Sequence, residues 1–116
     1  MATLIPTLTL SCADGTTDLI NFSVVDSLNV TQDIVAPSKV KLTTSDLEIG
    51  PTTYGKSYVY LKNTDDTIAM DIDFGTQLSI QLAAGEFAFF PWESSGNILA
   101  KSASGTPYLE YAIFEA

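Results

Sequence analysis

Apolar and polar residues alternate along two neighbouring segments in the second half of the chain, AMDIDF at 69–74 and QLSIQL at 77–82. Because successive side chains of a β-strand point to opposite faces, this period of two predicts two strands that each bury one face. Their aspartate, glutamine and serine residues are then expected on the solvent side. The set that we expect to face the core is Met70, Ile72, Phe74, Leu78, Ile80 and Leu82.

Turn-forming residues recur at short intervals and separate segments that are rich in β-branched and aromatic residues. The candidate strands between these turns lie near 4–10, 19–25, 28–35, 40–43, 57–63, 68–74, 77–83, 87–92, 98–102 and 108–114. No segment sustains a 3.6-residue period, although TTSDLEIG at 43–50 predicts one short helical turn. We therefore expect an all-β protein, an antiparallel β-sandwich of jelly-roll type with about eight short strands.

One segment, LAAGEFAFFPW at 82–92, departs from clean alternation because both of its faces are apolar. We expect Phe87 and Phe89 to extend the buried set, which leaves Phe90 and Trp92 on the opposite face. Two explanations account for that second face. In the first, Pro91 ends the strand and Trp92 folds back over the edge of the core. In the second, the face meets another chain.

The last candidate strand, YLEYAIFEA at 108–116, also has apolar residues on both of its faces. Tyr and Trp are frequent at interfaces because their rings give a large contact area while their polar ends tolerate water. We expect Trp92 to be partly buried under its own chain, and Phe90 and Tyr111 to lie nearer a contact between subunits. The complete set of predicted interface residues is Phe90, Trp92, Tyr108, Tyr111, Leu4 and Ile5.

Composition supports one β-domain and argues against two classes of partner. A chain of 116 residues has the size of a single domain, and we expect residues 1–116 to form one sandwich with residues 1–17 as an extended N-terminal arm. With 14 acidic residues against 5 lysines, the formal charge is −9. Nucleic acids and anionic membranes require a cationic surface, so we predict that the chain binds neither.

The chain offers few residues for catalysis or metal binding. It contains neither His nor Arg, which removes imidazole bases and bidentate anion clamps. Glu86, Glu93 and Glu110 are the carboxylates that would have to act as an acid–base pair, but no pattern indicates a cleft between two of them. We predict no catalytic residue and no cofactor.

A run of four aspartates is the candidate for calcium binding, but it lacks the order of a calcium-binding loop and its closing glutamate. We therefore interpret this run as a solvated turn and strand face, and we predict no metal site. Its residues are Asp65, Asp66, Asp71 and Asp73.

Two family resemblances are visible. The segment LAAGEFAFFPW resembles a strand-turn-strand segment of cupin jelly rolls, which implies the same fold, but the histidine ligands of enzymatic cupins have no counterpart here. The second resemblance covers residues 57–116 through YVYLKNTDDT, IQLAAGEFAFFPW and ILAKSASGTPYLEYAIFEA. This order resembles small all-β virion proteins of tailed bacteriophages, which include capsid decoration, or cement, proteins.

The second resemblance implies a structural role without catalysis. We expect a decoration protein on the outer surface of the virion capsid, assembled as a homotrimer and bound between major capsid proteins, whose shell it stabilises. The alternative is a phage tail or fibre module that binds a receptor or glycan through Tyr54, Tyr58, Tyr60 or Trp92. A cupin-type enzyme is the third hypothesis.

Overall fold

The computed structural model describes residues 2–12, 20–50, 55–74, 79–93 and 97–116, and within these ranges the protein contains twelve β-strands and no helix. The strands are β1 (Ala2–Leu4), β2 (Thr7–Cys12), β3 (Ile20–Val25), β4 (Leu28–Val30), β5 (Gln32–Lys41), β6 (Leu47–Gly50), β7 (Lys56–Asn63), β8 (Met70–Phe74), β9 (Ser79–Leu82), β10 (Phe87–Glu93), β11 (Ile98–Ser102) and β12 (Tyr108–Glu115). The prediction of an all-β protein is confirmed.

The helical turn expected within 43–50 is absent, because the end of that segment is strand β6. This strand pairs with β11, so the main-chain groups of residues 47–50 bond to a neighbouring strand and not within a helical turn. Pairing between distant segments overrides a weak local capping signal of this kind.

Strands β5 to β12 form a sandwich of two four-stranded antiparallel sheets. We call them sheet I, in the order β10-β7-β12-β5, and sheet II, in the order β6-β11-β8-β9. Their pairing is nested, since β5 pairs with β12, β6 with β11, β7 with β10 and β8 with β9. This is the connectivity of a jelly roll, in which a long antiparallel ribbon folds over to make two sheets.

The core lies between the inner faces of the two sheets. Met70, Ile72 and Phe74 of β8 face it, as the alternation predicts, and so does Leu82 of β9, with Ile80 packed against it. Leu78 lies outside the described residues. Burying one of these aliphatic or aromatic side chains contributes about 1.5–3 kcal/mol to the stability of the fold. The core also includes Leu42, Ile49, Val59, Leu61, Ile98, Ala100, Leu109 and Ile113.

A tight turn at residues 83–86 carries the chain from sheet II to sheet I. The amide of Glu86 donates to the carbonyl oxygen of Ala83 at 3.0 Å, and Gly85 has a φ of 81°, as a type II turn requires at its third position. The carboxylate of Glu86 in turn accepts a hydrogen bond from the amide of Ala83 at 2.7 Å. The Ala-Gly-Glu sequence is therefore explained by the turn itself.

A buried asparagine ties the two sheets together next to this turn. The side-chain amide of Asn63, which is fully buried, donates to the carbonyl oxygens of Ile68 at 2.8 Å and Leu82 at 3.0 Å. Its side-chain oxygen accepts from the amide of Asp65 at 2.9 Å. Asn63 belongs to sheet I and Leu82 to sheet II, so this side chain links the two sheets while it satisfies main-chain groups of β9 and of the segment between β7 and β8.

Two prolines lie inside strands, at positions that tolerate a missing N–H group. Pro91 is in β10, an edge strand of sheet I, and Pro37 is in β5, where the pairing with β12 shifts register between Tyr111 and Ile113. The explanation in which Pro91 ends its strand is wrong, because β10 continues to Glu93.

The first four strands lie outside the two main sheets. Strand β1 pairs with β4, and β2 pairs with β3 as a hairpin. Residues 2–12 of the predicted arm thus carry two strands that pair within the chain, and residues 13–17 lie outside the described residues.

Candidate interaction surface

The opposite faces of β10 have different neighbours, which explains how its two apolar sides are accommodated. Ala88 and Phe90 lie opposite Leu61 and Val59 of β7, whose side chains are fully buried. Directly paired residues share a face, so residues 88, 90 and 92 face the core. The rings of Phe90 and Trp92 contact Phe74 of sheet II, with centroids 5.1 and 5.0 Å away.

Phe87 and Phe89 consequently point away from the core, and the expectation that they extend the buried set is wrong. Phe87 is 60% exposed and Phe89 is 36% exposed. The reason is that the pairing of β10 with β7 fixes which face turns inward, and a strand with apolar residues on both faces does not reveal this. We call these two residues the aromatic wall.

The six predicted interface residues fall into two groups. Phe90, Trp92 and Tyr111 are partly buried and pack against the core of their own chain, which confirms the expected partial burial of Trp92. Tyr108 and Ile5 are exposed, and Leu4 lines the groove described next. Contact of these six residues with another chain stays a prediction.

An apolar groove of about 560 Å³ separates the N-terminal segment from the outer face of sheet I. One side is formed by Leu4, Pro6 and Leu8, and the other by the aromatic wall together with residues of β7 and β12. Phe89, Tyr60 and Ala112 lie side by side on this outer face, since Tyr60 pairs with both neighbours. The groove can therefore bury apolar groups of another molecule.

Tyr60 supplies a polar contact within this groove. Its hydroxyl donates to the carboxylate of Glu110 on β12 at 2.7 Å. Burial, followed by the hydrogen bond to Glu110 and the negative charge of that carboxylate, raises the pKa of Tyr60 to about 12. The hydroxyl therefore remains a neutral donor at all ordinary pH values.

The hairpin of β2 and β3 has one apolar face and one polar face. Leu8 pairs with Val24 and Leu10 with Phe22, whereas the alternate positions place Thr9 opposite Ser23. All four apolar side chains are between 41% and 59% exposed. We call them the hairpin face: Leu8, Leu10, Phe22 and Val24.

Sequence reasoning missed the hairpin face, although its signal is present in TLTLSC at 7–12 and NFSVV at 21–25. Both segments alternate, which predicts an apolar side on each strand. The strands β2 and β3 contain no charged residue, although the whole chain has a charge of −9. The exposed apolar face of this hairpin thus lies on two strands that carry no charge.

The three candidate catalytic carboxylates have different surroundings. Glu86 binds the amide of Ala83, Glu110 accepts from Tyr60, and Glu93 is exposed at the end of β10. Each of the first two has a structural contact that accounts for its position.

The aspartates of the candidate calcium run have separate surroundings. Asp65 accepts hydrogen bonds from the amides of Thr67 and Ile68, and Asp71 accepts one from Gln81 across the surface of sheet II. In the part of the chain that the structure describes, no group of three or more acidic or thiol side chains could hold a metal ion. The same residues include no helix with the length and hydropathy needed to span a membrane.

The hairpin face, the groove and the aromatic wall together make the candidate interaction surface of this protein. Comparison of the chain with protein family models, with curated proteins and with solved structures finds no match.

Proposed function

We propose that this protein is a non-enzymatic structural protein of a bacteriophage virion, a decoration protein that binds between major capsid proteins on the outer surface of the head. The observation that carries the proposal is the exposed apolar surface formed by the hairpin face and the aromatic wall. The largest exposed apolar patches of soluble monomers measure several hundred Å² and often serve as protein–protein contacts.

The chemistry of the surface favours a protein partner. The sides of the groove are mostly apolar, and its clearest polar group, the Tyr60 hydroxyl, is already bonded to Glu110. Small-molecule sites need a few convergent polar groups that fix the orientation of a ligand. A surface of this kind is better suited to covering the side chains of a neighbouring subunit.

In a capsid, a weak contact between two subunits is repeated at every equivalent position. Identical subunits repeat across the shell, so one modest apolar contact, made many times, adds stability to the whole particle. The resemblance of residues 57–116 to small virion proteins of tailed phages, and the jelly-roll connectivity, are consistent with this role.

A tail or fibre module that binds a glycan is the second candidate. Tyr58 and Phe89 lie on the outer face of sheet I with ring centroids 6.4 Å apart and ring planes inclined by 17°, which gives an aromatic platform. Sugar recognition also needs polar groups at the rim of such a platform, and the neighbouring groove is largely apolar. We therefore rank this function second.

The copy number of the protein in purified particles of the encoding phage tests the proposal. A decoration protein is expected at hundreds of copies per particle, in a fixed ratio to the major capsid protein. A handful of copies would indicate a tail module, and absence from particles would overturn both functions. Quantitative mass spectrometry of gradient-purified virions, with the major capsid protein as internal standard, measures this ratio.

A further inference from the structure

We propose that the hairpin face of one copy packs against the aromatic wall of a second copy of this chain. Such an exchange of hairpins would build the oligomer that binds the capsid, so the inference deepens the proposed function and rests on it for its biological meaning. The physical argument for the contact uses only this chain.

The first step concerns the stability of the hairpin. Strands β2 and β3 form a sheet of two strands, and the aromatic residue on its apolar face, Phe22, is 59% exposed. An isolated two-stranded hairpin is at best marginally stable in water and needs a third strand or an apolar surface beneath it. Within the described residues the chain leaves this face largely uncovered, with Leu8 across the groove from the aromatic wall of the same chain, so a second copy can supply the contact that is missing there.

The second step concerns charge. A second copy with a charge of −9 is repelled from most of the surface, but β2 and β3 carry no charge that opposes its approach. Around the aromatic wall the charge is less negative than on the chain as a whole, since the row that begins with Phe87 continues across sheet I through Lys62, Glu110 and Lys39, which carry two positive charges and one negative charge. This region of sheet I therefore repels an acidic second copy less than the rest of the surface does.

The third step compares two arrangements by area. A fully accessible side chain of this size has a surface of roughly 150–200 Å². Scaled by the exposed fractions of its residues, the hairpin face presents about 350 Å² of apolar surface and the aromatic wall about 200 Å². Hairpin faces packed on each other would bury at most about 700 Å² in a dimer, whereas exchanged hairpins on walls would bury at most about 1,100 Å². A specific interface needs on the order of 1,000 Å² or more, which favours the exchange.

Two neighbouring residues provide a matched pair of variants. Val24 belongs to the hairpin face and Val25 to the polar face, and they are 56% and 64% exposed. Val24→Asp is expected to raise the dissociation constant of self-association about tenfold or more, while Val25→Asp changes it less than about threefold. Phe87→Ser removes the other half of the contact and is expected to match Val24→Asp. Sedimentation velocity over a concentration series measures all three.

Disulfide trapping decides which surfaces meet. In a Cys12→Ser background, chains carrying Val24→Cys are mixed with chains carrying Phe87→Cys under mild oxidation. The exchange predicts a disulfide between the two kinds of chain, and none between two Val24→Cys chains. Trapping of Val24→Cys chains with each other, or a wild-type protein that stays monomeric at tens of micromolar, would overturn the inference. Because capsids are absent from these assays, either result leaves the copy-number test of the proposed function independent.

Discussion

The ring of Trp92 on β10 lies 5.0 Å from the ring of Phe74 on β8, with their planes inclined by 54°, and this contact joins sheet I to sheet II. Phe90 approaches the same phenylalanine edge-on at 5.1 Å. Tilted and edge-on aromatic pairs add about 0.5–1.5 kcal/mol beyond the burial of their area. The three rings thus form an aromatic contact between the inner faces of the two sheets.

We expect Trp92→Ala to lower the free energy of unfolding by about 3 kcal/mol, since it removes this ring from the inner face of sheet I. The side-chain N–H of Trp92 is buried and has no hydrogen-bond partner in the described structure, so Trp92→Phe is expected to cost less than about 1.5 kcal/mol. Urea denaturation at low protein concentration measures both. A Trp92→Ala variant with unchanged stability and weakened assembly would place Trp92 at a contact between chains.

Asn63→Ala should be among the most destabilising single changes in the protein. It removes a buried hydrogen bond to the carbonyl oxygen of Leu82, a partly buried one to that of Ile68 and one from the amide of Asp65, and we expect a loss of about 2–4 kcal/mol. The matched control is Thr64→Ala, which removes one exposed hydrogen bond to Tyr108 and is expected to cost less than about 1 kcal/mol. If chemical denaturation showed that both variants lose the same free energy of unfolding, the assigned role of Asn63 would be contradicted.

Tyr60 is expected to make stability fall at alkaline pH. Its pKa is raised to about 12 in the folded protein, so folding favours the protonated phenol. The contribution is fully present below the ordinary tyrosine pKa of about 10 and is lost as pH rises through the folded value. Tyr60→Phe should reduce the slope of unfolding free energy against pH between about 10 and 12. An unchanged slope would show that Tyr60 does not titrate abnormally.

Asp65 is expected to make stability fall at acidic pH. Main-chain hydrogen bonds from Thr67 and then Ile68 hold the pKa of Asp65 below its ordinary value, so folding favours the carboxylate. This contribution is present above the unfolded pKa of about 3.9 and disappears as pH falls through the lower folded value. Asp65→Asn should therefore destabilise the protein at neutral pH and have a smaller effect at pH 2. NMR titration of the Asp65 carboxyl carbon measures the pKa directly.

Several features were predictable from the sequence because they depend on local pattern alone. The alternation in AMDIDF determined that Met70, Ile72 and Phe74 share a buried face, since a period of two has one solution when only one side is apolar. The frequent turn signals and the strand composition likewise determined the all-β class, and the spacing of the strands favoured a jelly roll.

Only the tertiary structure decided the orientation of two-faced strands. In β10, Phe87 and Phe89 alternate with Phe90 and Trp92, so the pattern permits either face to turn inward. Pairing with Val59 and Leu61 of β7 turns Phe90 and Trp92 toward the core and leaves the aromatic wall outside. The sequence thus determined that apolar surface would be in excess, while long-range strand pairing decided which part of it remained exposed, because local periodicity carries no information about a strand's neighbours.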